Sequence, residues 1–163
     1  MFVNKSWRGM KEILPEQVRM AIAESCDAAG VALIDVVIRG QARQLILDVI
    51  IDTVEGVTHD HCRSVSRGID ERLEGNEYAG RLRTVEVTSP GAETPVKHLW
   101  QLRKHIGRWV RVKRTDATTI EGVLERAEDD GLDVQPKQTK KEPKPLISIP
   151  AEEVAEAMVM IMF

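Results

Sequence analysis

Three stretches of the chain carry residue types able to do chemistry. The first, TVEVTSPGAETPV (84–96), sets Ser89 on a Pro-Gly turn at the end of a β-branched run. A nucleophilic serine needs a base, an orienting acid and oxyanion donors, and a nucleophile elbow reads G-x-S-x-G with a helix behind it. Here Pro90 removes the backbone donor directly after Ser89, and no helix signal follows. Pro90 and Pro95 instead restrict φ on either side of Gly91, which is free to take φ > 0. Ser89, Pro90, Gly91 and Pro95 therefore read as a shaped connector between two folded units, not as a catalytic turn.

The second stretch is THDHC (58–62), whose His59, Asp60, His61 and Cys62 are all metal-ligand types. Histidines at i and i+2 share a face on a strand but diverge on a helix. Thr58 is a good N-cap, and Cys62, Val65, Ile69 and Leu73 continue at helical spacing. The run thus opens a helix, with Asp60 complementing its dipole and Cys62 toward the core. A zinc site needs four converging ligands, and the remaining histidines, His98 and His105, lie beyond the connector. No metal is expected.

The third stretch, Lys97 to Arg114, holds seven basic residues and no acidic one. A short helix (97–106) would bury Leu99, Leu102 and Ile106 and point Lys97, Gln101 and Lys104 away. Arg103 falls toward the apolar side, so it must snorkel out or the helix is irregular. In the strand WVRVKR, Val110 and Val112 face a core while Trp109, Arg111 and Lys113 share the other face by period two. An aromatic between cations suits RNA, combining stacking with phosphate attraction. Lys97, Lys104, Arg108, Trp109, Arg111, Lys113 and Arg114 are the candidate RNA-binding residues. The plainer alternative is a solvated basic face with Trp109 capping the end of a barrel.

These stretches must be positioned by a chain of 163 residues with 42% hydrophobic content, enough for one ordinary domain or two small ones. Net charge is −3, which alone argues against a dedicated nucleic-acid binder. The distribution is uneven: residues 1–96 hold 11 Lys/Arg against 15 Asp/Glu, residues 97–163 hold 12 against 11. The N-terminal stretch is charged throughout and has no signal-peptide core, so a cytoplasmic protein is expected. The longest apolar run, AMVMIMF, is far short of a membrane span. Cys26 and Cys62, 36 positions apart with no CxxC spacing, read as reduced, buried thiols.

A first helix from Pro15-Glu16 to before Gly30, strands 31–39 and 45–53 as an antiparallel hairpin, the helix after Thr58, and a strand over 83–89 make a two-layer α/β domain (1–88). Its second helix carries Arg63 and Arg67, a possible local basic strip. After the connector (89–96), residues 97–163 offer the short helix and about five short strands, ending in AMVMIMF, as a small β-barrel. The loop QTKKEPKP either adds phosphate attraction through Lys137, Lys140, Lys141 and Lys144 or is simply solvated. No Walker-type loop is present, so neither nucleotide nor other cofactor is expected.

GVALIDVVI (30–38), VIIDTVEGVTHDHCRSVSRGID (49–70) and VEVTSPGAETPV (85–96), in that order, resemble the bacterial ribosome maturation factor RimP family, and the likeness extends to ISIPAEEVAEAMVMIMF (147–163). The family's connector carries EVSSPG, then an acidic residue, Arg and Pro; here Thr94 stands in the arginine's place. The resemblance implies an α+β protein: a KH-like α-β-β-α-β domain followed by a small Sm-like (SH3-like) β-barrel. It implies a non-enzymatic monomer that binds the immature small (30S) ribosomal subunit, touching 16S rRNA and a small-subunit ribosomal protein. A free Sm-type module for small RNAs, closing into a ring through its barrel edges, is the alternative.

Overall fold

A computed structural model describes residues 14–91 and 93–161. The chain divides between Pro90 and Gly91 into two compact units, each with its own apolar core. The fold is α+β. The N-terminal unit runs α1 (Glu16–Ala29), β1 (Ala32–Arg39), β2 (Leu45–Asp52), α2 (His59–Leu73) and β3 (Leu82–Thr88), the order expected from the sequence. β1 and β2 form the antiparallel hairpin, and β3 pairs parallel to β2 after the α2 crossover. Gly30 ends α1 at φ 71, where Val31 N–H donates back to the Cys26 carbonyl at 3.1 Å.

Alternation decides which way this sheet faces. Val36, Leu45, Leu47, Val49 and Ile51 are buried with Val18, Ile22, Cys26, Val65 and Ile69 from the two helices. The opposite face carries Arg39, which binds Asp48 at 2.6 Å and Glu86 at 3.2 Å. The helices meet closely at Gly68: a Cβ there would lie 2.9 Å from Ser25 Oγ. Between α2 and β3 runs a 3-10 turn, Glu77–Arg81, which buries Tyr78 and is capped by the Asn76 side chain.

The C-terminal unit has a 3-10 segment (Leu99–His105) and then β4 (Trp109–Arg114), β5 (Thr119–Glu128), β6 (Gly131–Pro136), β7 (Ile147–Pro150) and β8 (Val154–Val159). All five strands lie in one antiparallel sheet of order β7-β6-β5-β4-β8. Leu102, Val110, Val112, Leu124, Leu132, Val134 and Ile149 form its core. The last strand spans Val154–Val159 rather than AMVMIMF, and Met162 and Phe163 of that run lie outside the described residues. No helix among the described residues is long and apolar enough to cross a membrane.

Candidate nucleic-acid interface

The basic stretch does not fold as a regular α-helix. Leu99–His105 is 3-10, with three residues per turn in place of 3.6. That change of pitch rearranges the faces anticipated from α-helical spacing. Leu102 stays buried, but Ile106 is 49% exposed. Gln101, expected to point outward, is 1% exposed, and its Oε1 accepts the N–H groups of Lys97 (3.0 Å) and His98 (2.9 Å). The side chain thereby satisfies donors that the start of any helix leaves orphaned. Lys104 folds back as well, its Nζ donating to the Gln101 carbonyl at 3.2 Å. Arg103 does snorkel: its guanidinium leaves the core to meet Glu128 at 2.9 Å. His98 and Trp100 stack with ring centroids 6.1 Å apart.

β4 follows the period-two expectation. Val110 and Val112 are fully buried, while Arg111 and Lys113 are exposed and Trp109 half-buried on the other side. Register supplies what the linear sequence hides. Trp109 lies across from Val123 on β5, and Met160 N–H donates to the Trp109 carbonyl on the β8 side. Arg111 sits between Glu121 and Met158, and Lys113 between Thr119 and Glu156. Arg111 Nε meets Glu121 Oε1 at 2.9 Å. A run of cations along the chain therefore becomes, on the sheet, a face of mixed charge flanking an aromatic. Arg108 and Lys113 are exposed and make no ion pair among the described residues. Arg114, half-buried at the end of β4, keeps its Nε buried and without a hydrogen-bond partner among the described residues. In the adjoining hairpin Asp116 accepts from the Thr118 hydroxyl and N–H, which holds its carboxyl below the usual range.

The other two stretches resolve into local structure. Thr58 caps α2 in a reciprocal box: its Oγ1 accepts His61 N–H at 3.2 Å, and His61 Nδ1 accepts Thr58 N–H at 3.1 Å. A ring nitrogen of THDHC is thus engaged in starting a helix. Cys62 is only partly buried. Arg63 is exposed and lies 3.7 Å from Asp60, while Arg67 is exposed. Ser89 is exposed and makes no hydrogen bond among the described residues. Gly91 does not use positive φ as anticipated. Its carbonyl accepts Thr94 N–H at 3.1 Å, closing a tight turn, and a Cβ there would lie 2.8 Å from the Thr94 hydroxyl.

Residues 21–93 match the family described as the RimP N-terminal domain. A curated relative, the ribosome maturation factor RimP of Chlorobium chlorochromatii (strain CaD3), is 36% identical over 118 residues, or 69% of this chain and 66% of the relative. The chain belongs to the RimP family. The domain match begins inside α1 and ends in the connector, before Lys97. In this RimP-family chain, then, the N-terminal unit carries the domain match, while the basic 3-10 segment and β4 follow it. Two features of the site escaped sequence reasoning. The pattern His98-x-x-Gln101 has the spacing of a capping box and could have signalled the buried glutamine. The acids facing β4 gave no local signal, because register alone brings them there.

Proposed function

We propose that this RimP-family chain is a non-catalytic factor in maturation of the small (30S) ribosomal subunit, binding the immature particle through 16S rRNA and a small-subunit ribosomal protein. The observation that carries the reading is the identity to a relative named as a ribosome maturation factor over most of the chain. The outward face of β4 adds chemical support: a half-buried tryptophan for stacking, with Lys113 on that face and exposed Arg108 just before the strand free to meet phosphates. Lys97, Lys104, Arg111 and Arg114 are assigned to the same contact, though Arg111 must share its charge with Glu121. Residues 89–96 would act as the connector between a KH-like domain and an Sm-like domain.

Such a factor works by population shift. It binds one rRNA–protein arrangement of the precursor better than others, favours that arrangement, and leaves when the mature surface no longer fits. No cofactor enters this scheme, and the factor acts in the cytoplasm as a monomer.

The double variant Arg108→Glu/Lys113→Glu tests the surface, since neither residue is held in an ion pair among the described residues. Its association with small-subunit particles is expected to weaken roughly tenfold or more. Its thermal midpoint should stay near that of the parent, because both side chains are exposed. Undiminished association would remove the β4 face from the proposal.

A further inference from the structure

We propose that the loop joining β6 to β7 (137–146) is a preformed grip for an RNA phosphate backbone, continuous with Lys113 and Arg114 at one end of the five-stranded sheet. The loop carries Lys137, Lys140, Lys141 and Lys144, all exposed and none in an ion pair among the described residues. Glu142 is its one acid, so the segment holds four positive charges against one negative. Arg103, Arg111 and Arg126, by contrast, each have a carboxylate partner. Four exposed cations without an ion pair among the described residues therefore lie together in the loop, in addition to Lys113 and Arg114 of β4.

The loop's neutral polar groups are spent on its own shape. Gln138 Nε2 donates to the Lys144 carbonyl at 2.6 Å, and Gln138 Oε1 accepts Lys144 N–H at 3.1 Å. Gln135 donates to the same carbonyl at 2.8 Å, and Thr139 and Glu142 bond reciprocally at 3.1 Å. Pro136, Pro143 and Pro145 fix φ at three points of the path. A backbone held this way loses less freedom on binding than an open one, while its ammonium groups stay in solvent.

Register places this charge. Pro136 lies across from Gly122, and Gly122 across from Val110, so the loop leaves the sheet beside Thr119–Glu121, which overhangs β6. Thr119 is the partner of Lys113, and Arg114 follows. Lysine is a compact, hydrated point charge suited to phosphate. The loop has no aromatic to stack on a base, and Leu146 is its one exposed large apolar side chain. Those properties fit a sequence-independent hold on backbone phosphates better than a protein interface, which is anchored by buried aromatic and apolar groups.

This inference rests on the RNA-contact part of the proposed function and not on the ribosome as target. The test is binding of the full chain to a mixed-sequence single-stranded RNA of about 20 nucleotides, and to a duplex of equal length, between roughly 50 and 200 mM KCl. The parent is compared with K137Q/K140Q/K141Q/K144Q. On single-stranded RNA, the slope of log affinity against log salt is expected to become shallower by about 0.7 for each lysine engaged, roughly 2 to 3 in all. At the lowest salt the affinity should fall about tenfold or more, with the thermal midpoint unchanged. An unchanged slope and affinity would overturn the proposal. So would displacement of the RNA by polyglutamate at equal charge, which would assign the loop to an acidic protein surface. A failure to associate with ribosomal particles would leave the oligonucleotide result standing, so the two readings fail separately.

Discussion

Gly122→Val is expected to cost roughly 3 kcal/mol or more and to lower the urea midpoint accordingly. Gly122 is buried in β5 at the point where β6 approaches most closely. A Cβ there would lie 2.3 Å from the Gln135 carbonyl oxygen and 2.9 Å from the Pro136 Cα. Both are backbone atoms of a paired strand, so no flexible side-chain tip can move aside. Relief requires β5 and β6 to separate, and with them Leu124 and Val134, both fully buried in the core of that unit. Exposed Thr119, on the same strand, gives the control: Thr119→Val should change stability by no more than about 0.5 kcal/mol. Urea denaturation followed by circular dichroism reads both. A Gly122→Val protein with the parent's midpoint would mean that the two strands are not held at this separation.

The second large effect is alkaline and belongs to the N-terminal unit. Cys26 is 1% exposed in the core under α1. Burial, with a contribution from the neighbouring Asp27 carboxylate, pushes its thiol up from 9.0 to about 12. In the unfolded chain the thiol ionises from about pH 9, whereas the folded chain keeps the proton until far higher pH. Stability from this group is thus fully present below pH 9 and is lost as pH rises toward 12, at a little over 1 kcal/mol per pH unit. Cys26→Ala should lower stability at neutral pH and remove this share of the alkaline decline. Urea midpoints of parent and variant between about pH 8 and pH 10 should therefore converge. Parallel lines would show that Cys26 titrates alike in the folded and unfolded states.

These two residues also mark what could be read from the sequence and what could not. Val18, Ile22 and Cys26 recur every four residues along the first helix, and the burial of Cys26 follows directly from that stripe. WVRVKR is legible for a like reason, since its alternation assigns an inner and an outer face without knowledge of neighbours, whereas VALIDVVIR and LILDVIIDT read as strands by their β-branched content and pairing decides their faces. Gly122 gave no such signal, because its role is set by a carbonyl 13 residues further on. The candidate interface divides in the same way. Trp109, Arg111 and Lys113 were placed on one face by period two, but Glu121 and Glu156 reach that face only through strand register. α-Helical spacing over 97–106 fails where the pitch tightens to 3-10, which buries Gln101 and expels Ile106. Gly91 suits the connector by its torsional freedom, yet it adopts no positive φ in the turn that Thr94 N–H closes.

The central claim is that this RimP-family chain acts by binding an immature small ribosomal subunit, with phosphate contacts supplying much of the affinity. Gradient co-sedimentation of tagged full-length protein with ribosomal particles, at roughly 50 and 200 mM salt, tests it most directly. The account predicts enrichment on free small subunits at the lower salt and a loss of about tenfold or more at the higher, as counterion release requires. Migration at the top of the gradient at both salts, away from every particle, would contradict it.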